Sequence, residues 1–500
     1  MSLSRWQASA AFVAGAATVP GFAPYAAFAL PLFTLAALFW LWLEATPGRA
    51  LFLGWMFGLG LFLAGASWIY VSLNTFGAMP LPLAALATLL FCAFLALFPA
   101  LAGWCAARWR KGAGTTLLLL CPAAWTLTEW TRDWIFTGFP WLALGYSQVP
   151  LSPLAGYAPL LGVFGVSLLL AVCSGLLVLS CIKPRTTRVA AGIGLTVVLG
   201  AGFALRAIEW TEPTRTSATV SLLQGNVAQD MKWREDKLAA TLKTYLDMTL
   251  ASRAKLIVMP ETALPLFLND VPPDYLKRLA DHARANGGDV LVGVPERPER
   301  GGYYNSVLSL GASPTQFYRK SHLVPFGEFI PLRPVLGWIV SVLAIPLQDF
   351  SRGAVTQQPL DVAGQRVAVN ICYEDVFGEE IIRQLPKATM LVNVSNVAWF
   401  GRSMAPQQHL QISQMRALET GRYMLRATNT GMTAVIDQRG YVVKAAPEFE
   451  TATVEYNVPG YEGATPYVRW GNAAVLVMLG LMGLLVLRTR SAAHKESDDA

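Results

Sequence analysis

VAVNICYE, residues 367–374, decides how the second half of this chain is read. The run Val367-Ala368-Val369-Asn370-Ile371 is short and mostly apolar or β-branched, the pattern of a strand buried on both faces. It ends on a thiol, Cys372, with a carboxylate, Glu374, two residues later. The chain holds six cysteines, Cys92, Cys105, Cys121, Cys173, Cys181 and Cys372, and the first five lie in strongly apolar segments. A lone cysteine at a strand end is most often a small buried hydrophobe, so the neighbourhood has to decide its role.

Similar runs recur on either side. Residues 218–224, 255–259, 289–294, 304–310, 366–371, 389–394 and 432–437 read as short strands, several continuously apolar. Helical patterns fill 235–253, 273–286, 376–384 and 405–422. Buried strands alternating with helices predict an α/β or layered α–β–β–α fold over 209–470.

The rest of the chain differs in kind. Five hundred residues are 54% hydrophobic and 14% charged, against ~25% charged in a soluble domain. The apolar excess lies in the first two hundred residues and the last thirty. Spans need roughly 17–25 apolar residues, and eight candidates are about 8–23, 25–43, 51–73, 81–105, 115–131, 159–182, 189–208 and 471–487. This predicts a membrane domain over 1–208 with seven helices, and an eighth helix with its tail over 471–500. Arg5, Arg49, Arg108, Arg110, Lys111, Lys183, Arg185, Arg188, Arg488, Arg490 and Lys495 fall on one side if the N-terminus is cytoplasmic. The opposite turn 74–80 has no cation. The positive-inside rule then exports 209–470 and leaves both termini in the cytoplasm. A net charge of +7 without a basic, aromatic-studded stripe gives no nucleic-acid surface.

Two stretches of the apolar part invite functional readings. GLGLFLAGAS (58–67) has phosphate-loop-like glycines, but inside a span small residues serve helix packing. Glu129, Trp130, Arg132, Asp133, Trp134 and Trp141 read as an interfacial aromatic belt with a local ion pair.

In the exported stretch, three ionisable groups follow strands. LIVMPETALP carries Glu261, YRKSHLVPFGEF carries Lys320 and Glu328, and NICYED carries Cys372. A carboxylate, an ammonium and a thiol together suit acyl transfer: a base for the thiol proton, a cation for the oxyanion, and a nucleophile. In an oxidising compartment Cys372 has no disulfide partner outside the spans.

PETA, YRKSHLVPFGE and ICYE resemble the Glu–Lys–Cys motifs of the nitrilase, or carbon–nitrogen hydrolase, superfamily. Flanked by the spans, they resemble apolipoprotein N-acyltransferases. TGFPWLALGYSQ (137–148), QGNVAQDMKW (224–233), YYNS (303–306), HLVPFGEFIP (322–331), AWFG (398–401) and MRALETGRYMLRATNTG (415–431) extend that likeness over nearly the whole chain. The resemblance implies a nitrilase-like α–β–β–α sandwich, with Glu261 as base, Lys320 as oxyanion stabiliser and Cys372 as nucleophile. It implies supporting roles for Glu328, Tyr373, Glu374, Trp233 and Asn305, with no cofactor and no metal. The donor would be a phospholipid, in this family phosphatidylethanolamine, and the acceptor a diacylglyceryl-modified apolipoprotein. The place would be a bacterial inner membrane with the catalytic domain in the periplasm. Val397 departs from the pattern, since the family commonly has Asp there. His282 reads as solvated, His322 as structural, and His409 receives no role.

Residues 335–347 are apolar but, at ~13 residues, too short to span, which predicts an interfacial segment gating lipid access. A membrane-tethered amidase would use the same triad with water as acceptor, yet tethering needs only one helix. A transporter would place ionisable groups mid-span or show internal repeats, and neither pattern is present.

Overall fold

A computed structural model describes residues 5–182, 184–229, 234–299, 302–330 and 350–498. Trp233 and the expected interfacial segment 335–347 lie outside the described residues. The chain forms two compact units, one of residues 1–70, 81–209 and 469–500, the other of residues 71–80 and 210–468.

The first unit is helical. Four stretches, Pro47–Ala66, Leu81–Arg108, Pro153–Ile182 and Arg185–Leu205, are long and apolar enough to cross a membrane. Arg5–Thr18, Leu30–Trp42 and Cys121–Trp134 have 13 or 14 residues. At ~1.5 Å per residue such helices run about 20 Å, short of a ~30 Å hydrocarbon core. Ala473–Thr489 is apolar but also short. Among the described residues, length and composition alone thus mark four of the eight expected spans.

Glycine packs this unit. A Cβ on Gly60 would strike the Phe12 carbonyl, and one on Gly58 would come 2.7 Å from Ala96 Cα. The glycines of 58–67 thus let neighbouring backbones approach, as small residues do between apolar helices. The Glu129 cluster departs from the belt reading. Trp134 is exposed, but Glu129, Arg132 and Trp141 are buried. Glu129 accepts the Leu144 N–H at 3.0 Å, and Arg132 donates to the Trp141 carbonyl at 2.6 Å. Both charges clamp the 139–144 loop, whose turned backbone offers polar groups that burial obliges to pair.

The second unit holds twelve strands among the described residues, in two six-stranded sheets. The first sheet comprises β1 (Thr211–Gln224), β2 (Leu256–Val258), β3 (Asp289–Glu296), β4 (Tyr304–Gly311), β5 (Phe317–Arg319) and β12 (Ala452–Gly463), ordered β12-β1-β2-β3-β4-β5. The second comprises β6 (Leu360–Val362), β7 (Gln365–Ile371), β8 (Met390–Ser395), β9 (Met424–Thr428), β10 (Ala434–Ile436) and β11 (Val442–Ala445), ordered β11-β10-β9-β8-β7-β6.

Alternation along the strands explains the layering. Val220, Leu222, Val367, Val369, Ile371, Val392 and Val394 point into one core between the sheets. Their neighbours face the other way: Leu223, Ile257 and Val290 pack with helices Glu235–Ala251 and Pro273–Ala285, while Ala368, Leu391 and Met424 pack with Ala405–Thr420. A strand covered on both faces has no polar side to show, which is why these runs read as continuously apolar. At ~1.5–3 kcal/mol for each fully buried aliphatic side chain, these three cores are the main stabilising term. The result is the α–β–β–α sandwich.

Candidate active site

Strand ends of both sheets supply the site. After β2 the chain turns at Pro260, crossing Gly293 of β3 so closely that any Cβ there would strike the Pro260 carbonyl. Glu261 follows, and Thr262 takes a left-handed φ of 51°. Lys320 follows β5, with its N–H bonded to the Asn305 carbonyl of β4 at 2.8 Å. Cys372 follows β7 and opens the short turn Cys372–Val376.

Glu261, Asn305, Lys320 and Glu328 form one bonded set. Asn305 Nδ2 donates to Glu261 Oε1 at 2.8 Å and to Glu328 Oε1 at 3.1 Å. Lys320 Nζ lies 2.9 Å from Glu328 and 3.5 Å from Glu261. Glu328 also accepts the Val324 N–H at 2.8 Å. The second oxygen of Glu261 accepts the Asn396 N–H at 2.8 Å, a contact across the sandwich from the residue after β8. Lys320 is 1% exposed. Burial works against its ammonium, yet the Glu328 and Glu261 charges hold its pKa above the ordinary lysine range.

Cys372 has φ 53°, a left-handed conformation that costs a non-glycine residue ~1–2 kcal/mol. Such strain persists where surrounding contacts over-determine it. Burial pushes the thiol up to about 12, the Glu261 charge pushes the same way, and Lys320 pulls it down. The resting group is therefore a thiol, and a base has to take its proton during attack.

Glu374 secures the turn. One oxygen accepts from Ser321 N–H at 2.6 Å, Ser321 Oγ at 2.9 Å and His322 N–H at 3.1 Å. The other accepts from Ile371 N–H at 2.7 Å and Tyr318 OH at 3.0 Å. Burial raises its pKa against the pull of these donors and of Lys320. Glu374 thus ties the Lys320 loop to the Cys372 turn. Tyr373 packs edge-on against Phe377, on which His322 stacks at 3.8 Å.

Of the expected site residues, the structure gathers Glu261, Lys320, Glu328, Asn305, Cys372, Tyr373 and Glu374; Trp233 lies outside the described residues. Sequence reading passed over Asn396, Tyr318 and Ser321, which act through a backbone N–H or a lone hydroxyl and leave no pattern. Val397 is buried at 1% exposure, so no carboxylate stands there. His322 has a structural setting, Nδ1 lying 3.2 Å from Glu380. His282 is half-buried, with its Nε2 2.7 Å from the Ser252 carbonyl. Among the described residues no cluster of His, Cys, Asp and Glu is arranged to hold a metal.

Two family models match this chain. Residues 14–176 match the family described as apolipoprotein N-acyltransferase N-terminal domain, and residues 219–467 match carbon–nitrogen hydrolase. The chain is 56% identical to an apolipoprotein N-acyltransferase of Nitrosomonas europaea over 95% of each chain. It is 47% identical to one of Chromobacterium violaceum, over 96% of this chain and 93% of that one. A solved carbon–nitrogen hydrolase from Helicobacter pylori aligns at 15% identity and a TM-score of 0.37, covering 48% of this chain and 89% of the other.

Proposed function

The chain belongs to the apolipoprotein N-acyltransferase family, and from that premise we propose a two-step transfer through a thioester on Cys372. It is an acyltransferase acting in lipoprotein N-acylation. In the first step the Cys372 sulfur attacks an acyl ester carbonyl of a phospholipid, phosphatidylethanolamine in our reading. Glu261 takes the thiol proton, and the Lys320 ammonium faces the oxyanion. The ester C–O bond breaks, the lysophospholipid alkoxide recovers the proton from Glu261, and the acyl chain remains on sulfur. In the second step the α-amine of an S-diacylglyceryl-cysteine attacks the thioester. Glu261 takes the amine proton and returns it to the departing sulfur, completing a ping-pong cycle.

The observation that supports this most is the convergence of Glu261, Lys320 and a half-buried Cys372 from ends of the two sheets. Lys320, held cationic by its two carboxylates, is ready for developing negative charge at any physiological pH. An α-amine, with a pKa of ~7.7–8.0, is a better acceptor at neutral pH than a lysine at ~10.4. Glu328, Asn305, Tyr373 and Glu374 support the three reacting groups, and we keep Trp233 among them on resemblance. We read the apolar helices as eight spans, with both termini cytoplasmic and the catalytic unit in the periplasm of a bacterial inner membrane, the cation distribution supporting that orientation. Full transfer activity in Cys372→Ala would sink this reading, and release of free fatty acid without an amine acceptor would favour hydrolysis instead.

A further inference from the structure

Three buried side-chain amides form a chain that reaches Glu261 and that the proposed mechanism does not use. Gln229 lies in the loop after β1, Asn396 directly after β8 and Asn429 directly after β9, and each is at most 7% exposed. Asn429 Nδ2 donates to Asn396 Oδ1 at 3.2 Å, and Asn396 Nδ2 donates to Gln229 Oε1 at 2.7 Å. Asn429 also pairs with the loop backbone as a neighbouring strand would. Its Nδ2 donates to the Val227 carbonyl at 2.7 Å, and its Oδ1 accepts the Val227 N–H at 2.9 Å. Its main-chain carbonyl accepts the Asn226 N–H at 2.8 Å, and its own N–H donates to the Ser395 carbonyl at 3.2 Å. Asn226 has a left-handed φ of 51°, a conformation that persists where surrounding contacts fix it.

Asn396 is what these amides hold, and its N–H donates to Glu261 Oε2 at 2.8 Å. Asn305 holds the other oxygen from the first sheet, also at 2.8 Å. Asn396 leaves β8, which runs parallel to β7 with Val394 beside Ile371, so it belongs to the sheet that presents Cys372. Its N–H therefore references the base, which follows β2 of the first sheet, to the strand ends that carry the thiol. Turning of the Asn396 peptide would take that N–H away, and amides gripping both ends of its side chain oppose the turn. We propose that Asn429 is a positioning residue for Glu261: with Gln229 it grips the Asn396 side chain, aims the Asn396 N–H at the carboxylate, and so fixes the base relative to Cys372. This inference rests on Cys372 being the acylated residue and Glu261 its base.

The test uses the full-length protein in phospholipid-containing micelles and follows the acyl mass on the Cys372 peptide over a single turnover. Asn429→Ala frees one end of the Asn396 side chain and is expected to slow acylation by on the order of tenfold to a hundredfold, the scale of losses from small misplacement, with the KM for phospholipid little changed. Asn396→Ala keeps the backbone N–H but loses both grips, and slows acylation to a similar extent. The double variant is no slower than the slower single one, because both changes break the same link. In a Glu261→Gln background Asn429→Ala costs nothing further, whereas a general packing defect would lower the rate there too. Should Asn429→Ala fail to fold, Asn396→Ala carries the same comparison in the Glu261→Gln background. Wild-type acylation in either alanine variant, losses that multiply in the double variant, or a further fall in the Glu261→Gln background overturns the proposal. Wild-type protein that completes transfer with no acyl mass on Cys372 overturns the thioester reading itself, whereas acyl mass on wild-type Cys372 with unchanged rates in the variants overturns only the positioning role.

Discussion

Lys320 holds its ammonium 2.9 Å from Glu328, closer than its 3.5 Å approach to Glu261. Glu328 thus acts as the partner that keeps the cation from closing fully on the proposed base. Glu328→Gln removes that charge, and the ammonium moves onto Glu261, lowering the carboxylate's basicity. Transfer is expected to fall by about a hundredfold, the scale of a general base's contribution, with the protein still folded. Steady-state transfer by the purified variant, set beside its thermal unfolding, checks this; an unchanged rate contradicts it.

The thiol gives a prediction whose sign is fixed. Burial and the Glu261 charge raise it to about 12, and only the thiolate is alkylated. Wild-type alkylation of Cys372 by iodoacetamide therefore climbs through pH 7 to 10 without a plateau. Glu261→Gln deletes a charge that opposes the thiolate, so alkylation at pH 9 speeds up even as transfer is lost. Lys320→Met deletes a charge that favours it, so alkylation slows. Alkylation rates on the Cys372 peptide measure both, and a plateau below pH 9 in wild type would contradict the assignment.

Glu374 receives five donors at once. Glu374→Gln keeps one acceptor oxygen but turns an N–H₂ toward groups that are themselves donors. The expected cost is roughly 3 kcal/mol, read in denaturant unfolding, together with loss of transfer. A variant as stable as wild type would show that the carboxylate does not organise the loop.

Orientation is open to chemical labelling. Lys255 is exposed on the catalytic unit, and Cys181 is exposed at the end of the Ala158–Ile182 helix. In intact spheroplasts, Lys255→Cys should react with a membrane-impermeant maleimide while Cys181 stays unlabelled until the membrane is broken. The reverse pattern contradicts the periplasmic reading.

The sandwich was legible where strands are apolar on both faces: β1, β3, β4, β7 and β8 all fall on runs the sequence marks. β9 was hidden because Arg426 sits in its middle, and an arginine at 0% exposure looks like a surface residue in sequence. β6 and β11 are short, and β11 is exposed along its length, so neither leaves an apolar run. β12 alternates too irregularly to be read alone and is set by its long antiparallel pairing with β1. Glu261, Lys320 and Cys372 were legible because each follows a strand within a distinctive motif. Asn396 and Asn429 were not, because a buried polar pair is defined by its partner across 33 residues. The same blindness made Glu129 and Arg132 look like an exposed belt pair.

The most direct measurement is the mass of the Cys372 peptide after the purified protein meets phospholipid alone, with no acceptor present. An added acyl mass on that peptide, discharged when a diacylglyceryl-modified peptide amine is supplied, is the predicted result. An unmodified Cys372 peptide from protein that still completes transfer would contradict the thioester account.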